Sequence, residues 1–134
     1  MKIVRESDVP EKAVPGRFLR WIADGHSLEP RYLSSCVMRV LPGETVRPAH
    51  SHPQGEELIY VISGSGKVAV DGEVRPLEPG TAVLFTQGCV HQVRNSGAEE
   101  LRVICFFAPP AELGTYVFHE DVAFPETDAP ERRP

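Results

Sequence analysis

Residues 43–64 read Gly43-Glu44-Thr45-Val46-Arg47-Pro48-Ala49-His50-Ser51-His52-Pro53-Gln54-Gly55-Glu56-Glu57-Leu58-Ile59-Tyr60-Val61-Ile62-Ser63-Gly64. Two histidines in this stretch, His50 and His52, are separated by a single residue. On a β-strand, positions i and i+2 point to the same face about 6.5–7 Å apart, so both imidazoles can reach one ion. The spacing therefore predicts a strand that offers two nitrogen ligands to one metal.

Glu57 is the oxygen ligand expected from the same stretch. It lies five residues beyond His52, which is the wrong parity for one continuous strand, so the chain must turn between them. Residues 53–55, Pro-Gln-Gly, supply that turn. The returning strand can then bring Glu57 alongside the two histidines, whereas Glu56 points the other way.

A third imidazole is expected from His91, in a second segment that spans residues 80–95. There an apolar run ends at Phe85, Gln87-Gly88 form a turn, and a new strand begins near His91. We expect this strand to point His91 inward. Three nitrogens and one carboxylate would then meet at one divalent metal ion.

The spacing of apolar runs and turn residues along the whole sequence is typical of an antiparallel β protein. Its 11 glycines and 13 prolines leave short apolar or alternating runs rather than long helical periods. The predicted strands are Ser34–Leu41, Leu58–Ile62, Gly66–Val70, Glu73–Leu77, Ala82–Phe85, His91–Asn95 and Leu101–Ala108. Asp71-Gly72 is a two-residue hairpin signal, because a type I′ turn needs positive φ at both central positions. We predict an all-β fold with little helix, an antiparallel β-barrel of jelly-roll type that leaves few exposed sheet edges.

These two segments resemble the paired signatures of the cupin superfamily. His50, His52, Glu57 and Gly64 fill the places of the first signature, and Gly80, Gly88, His91 and Asn95 fill those of the second. Two positions depart from the pattern. Gly43 stands one residue farther from His50 than usual, and Thr86 replaces the usual proline. Neither departure removes a ligand, and the chain looks like the small single-domain bacterial cupins that keep all four.

The resemblance implies a broad range of chemistry, since cupins of this size include dioxygenases, isomerases, lyases, polyketide cyclases and proteins with no assigned activity. Three histidines and one glutamate leave coordination positions open for water or substrate, and suit Fe, Mn, Ni, Co or Zn. We predict a metal-dependent enzyme that acts on a small organic molecule, with a dioxygenase-type oxidoreductase as the leading reaction. The alternatives are a metal-anchored binding or sensing cupin without catalysis, and a non-redox isomerase, lyase or cyclase.

Few polar side chains are expected beside the metal, and the cavity is expected to be largely apolar. The polar candidates are Tyr32, Arg39, Gln87, Tyr116 and His119, each of which has a surface or core role as its alternative. The apolar lining is expected from some combination of Val37, Met38, Ile59, Val61, Phe85, Val93, Ile104 and Phe106. Which half of that set points inward is left open by the sequence.

At 134 residues the chain is predicted to be one cupin domain over 1–134, with a core at about 34–110. Residues 14–22 alternate around two arginines and are predicted to form an outer strand, and residues 127–134 a polar tail. Both faces of the strand after Glu57 are apolar, so both should be covered. The N-terminal stretch is one possible cover, and a second subunit in a homodimer is the other.

Charge, hydropathy and cysteine content limit the partners and the cellular location that we expect for this protein. The formal net charge of −5 argues against nucleic acid as a partner, because phosphate contacts need clustered Lys and Arg. The charged N-terminus has no apolar run of signal-peptide or membrane-span length, so we expect a cytoplasmic protein with no membrane contact. Cys36, Cys89 and Cys105 match neither a disulfide framework nor a paired-Cys zinc site, and are expected to be buried hydrophobes. For Cys89, just ahead of His91, a reactive thiol is the alternative.

Overall fold

The computed structural model describes residues 1–126. Its strands are β1 Lys12–Val14, β2 Arg17–Ala23, β3 Ser34–Val40, β4 Ala49–Ser51, β5 Glu56–Ser63, β6 Gly66–Val70, β7 Glu73–Leu77, β8 Ala82–Phe85, β9 His91–Arg94, β10 Leu101–Ala108 and β11 Val117–His119. The helical content of this part of the chain is two short 3₁₀ turns, Glu6–Asp8 and Leu113–Thr115. No helix within it has the length and apolar character needed to span a membrane.

The strands form two antiparallel sheets that face each other. One has six strands in the order β1-β2-β3-β10-β5-β8, and the other has five in the order β11-β4-β9-β6-β7. Neighbours in each sheet come from distant parts of the chain, as when β10 lies between β3 and β5. The predicted all-β jelly-roll fold with little helix is confirmed.

Most predicted strands have the expected bounds. Four predicted strands have the observed bounds at both ends: Gly66–Val70, Glu73–Leu77, Ala82–Phe85 and Leu101–Ala108. The bounds of the other three differ from the observed ones by one or two residues. Asp71 and Gly72 have φ of 46° and 87°, so the predicted hairpin turn between β6 and β7 is present. The predicted polar tail at 127–134 lies outside the described residues.

The core lies between the two sheets, and strict alternation along the strands builds it. In β10 the residues Leu101, Val103, Cys105 and Phe107 are buried, while the residues between them face outward. Trp21 of β2 packs on Phe107 with ring centroids 5.6 Å apart. Burying each large apolar side chain contributes roughly 1.5–3 kcal/mol, and this packing fixes the inward faces that carry the candidate site.

The N-terminal stretch extends a sheet instead of covering one. β2 pairs edge to edge with β3, so it does not lie over the face of β5 as one of the two expectations proposed. The physical reason is that β3 would otherwise leave a row of unpaired backbone groups at the sheet edge. The residues ahead of β2 instead cover outward arginines of β3 and β10, where Glu11 pairs with Arg39 and Glu6 with Arg102.

No segment within residues 1–126 covers the outward face of β10, β5 and β8 completely. Leu58 stands between Phe106 on one side and Leu84 on the other in the strand register. These three side chains and Tyr60 and Ile62 are between 38% and 51% exposed. We call these five residues the outer apolar patch.

Candidate metal centre

The four predicted ligands lie together in the interior. His50, His52, Glu57 and His91 are all buried, and their ligand atoms lie within 4.8 Å of one another. His50 belongs to β4, His52 follows the end of that strand, and His91 begins β9 beside it. Glu57 comes from β5 of the opposite sheet. The site therefore lies between the two sheets.

The two turns that the sequence places beside these ligands are tied to each other. The Gly88 amide donates to the carbonyl of His52 at 3.1 Å, and Gln87 Nε2 donates to the carbonyl of Pro53 at 2.8 Å. A Cβ at Gly55 would come within 2.6 Å of the Ala108 carbonyl oxygen, so only glycine fits there. These contacts hold both signature segments in a fixed relation around the ligands.

Hydrogen bonds orient the imidazoles. Nδ1 of His50 lies 3.2 Å from the Pro48 carbonyl oxygen, and Nδ1 of His91 lies 3.2 Å from that of Cys89. A protonated Nδ1 can donate to each carbonyl, which leaves Nε2 directed at the centre of the site. There Nε2 of His52 and His91 lie 3.0 Å and 3.1 Å from the same oxygen, Glu57 Oε1.

Burial and mutual contact set the charges of the metal-free site. Burial would raise the pKa of Glu57, but hydrogen bonds from His52 and His91 outweigh it and hold that pKa below its ordinary value. For His91, burial is opposed by hydrogen bonds with Cys89 and Glu57, which raise its pKa to about 9. For His50, burial and the neighbouring His91 charge lower the pKa to about 3. In the metal-free site the Glu57 carboxylate therefore lies against the His91 imidazolium.

The donor set fits a single divalent ion. Nitrogen and oxygen ligands lie about 2.0–2.2 Å from zinc, so donors on opposite sides of one ion lie up to about 4.4 Å apart. The observed limit of 4.8 Å is within a few tenths of an ångström of that spacing. The four residues can thus hold a metal ion, whose identity they leave open.

Aromatic rings pack against the three histidines. Phe85 stacks on His91 with ring centroids 3.9 Å apart and an interplanar angle of 8°. Tyr116 stacks on His50 at 4.9 Å and meets His52 edge-on at 4.4 Å. These rings restrict the histidines to one orientation and limit the access of water.

The cavity beside the ligands is mostly apolar, as the sequence predicted, and alternation decides which residues line it. Met38, Ile59, Phe85 and Val93 of the predicted set are on its wall. The sequence left open which half of the set points inward, and Val37, Ile104 and Phe106 belong to the outward half. Their inward neighbours Cys36, Cys105 and Phe107 line the cavity instead. Val61 is buried in the core but is not on this wall.

Of the polar candidates, Tyr116 alone is on the cavity wall. Arg39 pairs with glutamates on the outer face of its sheet, and Tyr32 is 76% exposed. Gln87 bonds to backbone at the turn, and His119 lies 2.9 Å from a serine hydroxyl between the two ligand histidines. These four side chains have the surface or core role that the sequence offered as the alternative for each, because each faces away from the ligands or is bonded elsewhere.

Sequence reasoning missed Arg17. Its side chain is 5% exposed and lies on the cavity wall with His50, Glu57 and His91. The alternation of residues along the strand could have indicated its direction. Arg17 lies on the same face as the large apolar residues Leu19 and Trp21, and a strand that contains them is expected to bury that face. An inward arginine in an apolar alternation is unusual, since charged side chains are rarely buried without a partner.

Comparison with known proteins relates this site to a family. A family model described as Cupin domain matches residues 36–107. The chain is 35% identical over 80 residues to polyketide synthase CurC of Streptomyces cyaneus, covering 60% of this chain and 50% of the relative. It is 38% identical over 74 residues to L-ectoine synthase of Desulfatibacillum aliphaticivorans, covering 54% of this chain and 55% of the relative. The chain thus spans about half the length of these curated relatives.

The fold has a counterpart among solved structures. Polyketide cyclase RemF from Streptomyces resistomycificus superposes with a TM-score of 0.70 at 24% identity, over 81% of this chain and 79% of RemF. A likeness at that identity establishes the shared fold. The sequence match at 36–107 spans more than half of the 134 residues and includes all four ligand positions, and the chain belongs to the cupin family.

Proposed function

We propose that this protein is a metal-dependent enzyme that acts on a small organic molecule held between the two sheets. The observation that carries the proposal is the convergence of His50, His52, Glu57 and His91, all buried, on one point beside an apolar cavity. Three neutral imidazoles and one carboxylate would hold one divalent ion and leave open positions for a substrate.

A bound ion would supply either Lewis-acid polarisation of a substrate oxygen or, as Fe(II) or Mn(II), a centre for dioxygen chemistry. The protein contributes orientation and exclusion of water. Carbonyl groups of Pro48 and Cys89 hold His50 and His91 with Nε2 inward, and Phe85 and Tyr116 pack against these rings. An apolar wall suits a partly hydrophobic substrate.

We favour a non-redox cyclase, lyase or isomerase reaction over the dioxygenase. The polyketide synthase and the L-ectoine synthase that the chain resembles support this choice, because neither is named for an oxidation. The dioxygenase stays a prediction and the second candidate. It is favoured by a ligand set that suits Fe(II) as well as Zn(II).

The two reaction classes separate in one experiment. Protein loaded with Zn(II) or with Fe(II) is incubated with a panel of small enols, thiols and aromatic acids, while oxygen uptake and product formation are followed. Turnover with Zn(II) and without oxygen uptake supports the non-redox reaction, and oxygen uptake with Fe(II) alone supports the dioxygenase. A Glu57→Gln variant serves as the control for adventitious metal. Absence of turnover with either metal would contradict an enzyme and favour a binding or sensing cupin.

We also propose a homodimer formed through the outer apolar patch. Leu58, Leu84 and Phe106 form a continuous row across three strands, and exposed apolar patches of this kind are typical of protein interfaces. A second copy fits because the patch is uncharged and can pair with itself about a two-fold axis.

The solution mass tests the dimer. At micromolar concentration we expect twice the 14.8 kDa chain mass, and a Leu58→Glu, Leu84→Glu double variant should run at the chain mass. A Val117→Glu variant, changed at another exposed apolar position, should stay dimeric. A monomeric wild type would overturn this proposal.

A further inference from the structure

Arg17 is a buried cation in the cavity of the candidate metal centre. It begins β2, is 5% exposed, and lies on the same wall as His50 and Glu57. Taking a guanidinium out of water is costly unless an anion and hydrogen-bond acceptors replace the solvent. An anion that reached this side chain would therefore be stabilised by it.

The protein supplies hydrogen-bond acceptors for only part of the Arg17 side chain. Nη1 donates to the carbonyl oxygens of Pro15 at 3.0 Å and Arg47 at 3.1 Å. Within residues 1–126, Nε and Nη2 have no acceptor, and no carboxylate lies at ion-pair distance from Arg17. Nε and Nη2 form the edge of a guanidinium that binds a carboxylate through two parallel hydrogen bonds. The edge suited to a planar anion is thus the one left without a partner.

The charge of the cavity also favours an anion. A divalent ion on the four ligands and the Arg17 guanidinium together carry three positive charges, against one negative charge on Glu57. In a buried site such an excess of one sign is poorly screened, so an occupant with negative charge is stabilised. A neutral substrate would leave the excess uncompensated.

We propose that Arg17 binds the carboxylate of the substrate, and that the enzyme acts on small organic acids. This inference rests on the proposed function and names the substrate class of the same site. The carboxylate accepts hydrogen bonds from Nε and Nη2, while another oxygen of the same molecule faces the four ligands. Arg17 is then a residue that determines specificity and positions the substrate.

The competing role for Arg17 is structural, since Nη1 ties the turn before β2 to residue 47. The two roles differ in what a substitution changes. A purely structural arginine affects every ligand of the metal equally when it is replaced. An anion-binding arginine affects the carboxylate selectively and leaves a neutral ligand unchanged.

The test uses the full chain loaded with Co(II), whose visible spectrum reports ligand binding at the metal. The probes are pyruvate, methyl pyruvate, which keeps the ketone but lacks the charge, and imidazole as a neutral metal ligand. In Arg17→Met we expect the ratio of the methyl pyruvate and pyruvate dissociation constants to fall at least about tenfold relative to wild type. Imidazole affinity should stay within about twofold, since it needs no cationic partner.

Two further variants make the outcome decisive. Arg20→Met removes a cation from the outward face of the same strand, where Arg20 bonds to the Glu6 carbonyl and pairs with Glu11, and should keep the wild-type ratio. Arg17→Lys keeps the charge without the Nε–Nη2 edge and should show an intermediate ratio, which carries the test if Arg17→Met does not fold.

Unchanged ratios in the Arg17 variants, or equal weakening of all three probes, would overturn the role of Arg17. Failure of the wild type to bind Co(II) would instead contradict the proposed function itself. The two failures are therefore distinguishable in the same titrations.

Discussion

His50 and His91 face each other across the paired strands β4 and β9, with ring centroids 4.5 Å apart. One residue belongs to the first signature segment and the other to the second, so strand pairing brings two distant parts of the chain to one point. Each ring is held from behind by a backbone carbonyl. The site therefore depends on the register of this strand pair as much as on the ligands.

Removal of one ligand should abolish stoichiometric metal binding. For His91→Ala we expect metal content to fall from about one ion per chain to below about 0.2, because three donors with an open site hold the ion far more weakly. Elemental analysis after dialysis measures the change. The matched control is His26→Ala, outside the site, which should retain the ion. Full loading of His91→Ala would contradict the ligand assignment.

Metal binding should release the proton that His91 holds in the metal-free protein. His91 has its pKa raised to about 9 in the metal-free protein, so its proton is present at pH 7 and the ion must displace it. Glu57, with its lowered pKa, is already ionised, and His50 is already neutral. We expect at least one proton released per ion at pH 7, that of His91, and affinity that rises with pH by about tenfold per unit or more until pH approaches 9.

Calorimetric titration in buffers of different ionisation enthalpy gives the proton count. A pH-independent affinity between pH 6 and 8 would show that His91 carries no proton to displace. The same titrations on His26→Ala provide the control for protons from outside the site.

Phe85 should contribute strongly to stability as well as to the site. Its ring is 2% exposed and stacks on His91 at 3.9 Å. We expect Phe85→Ala to lower the free energy of unfolding by about 3–5 kcal/mol, because it removes buried area and leaves a cavity. Urea unfolding measures this value. Phe118→Ala, at a 47% exposed ring, should cost less than about 1 kcal/mol, and equal losses at both positions would contradict the packing described.

Tyr116 should limit access to the metal. Its ring covers His50 and His52 from the C-terminal segment after β10. We expect Tyr116→Ala to accelerate removal of the bound ion by a chelator at least about tenfold, because the side chain that shields two ligands is gone. The rate is followed by absorbance of the metal–chelator complex. The control Tyr32→Ala, which removes an exposed tyrosine, should leave the rate unchanged. An unchanged rate in Tyr116→Ala would show that the Tyr116 ring is not a barrier.

The sequence was informative where alternation and turn chemistry act alone. The parity between His52 and Glu57 required a turn, and the structure has one there, followed by β5 at Glu56. Asp71-Gly72 predicted a hairpin because few other residues accept its backbone angles. The positions of the four ligand side chains followed from such local rules together with the family resemblance.

What the sequence left open depends on contacts between distant segments. Strand parity places Arg17 on the same face as Leu19 and Trp21, but nothing local shows that β2 would join the sheet beside β3 and turn that face towards the metal ligands. The inward half of the apolar residues was likewise undetermined for β3 and β10. Once one residue of a strand is known to point inward, alternation gives the direction of all its other residues. Cys36 and Cys105, which are paired in the register of β3 and β10, provide that information for these two strands.

X-ray absorption spectroscopy of the wild-type protein loaded with one equivalent of Co(II) tests the metal centre most directly. We expect a shell of nitrogen and oxygen donors with outer-shell scattering from about three imidazoles, since three histidines and one glutamate hold the ion. A shell that includes sulfur, or scattering from fewer than about two imidazoles, would contradict the centre formed by His50, His52, Glu57 and His91.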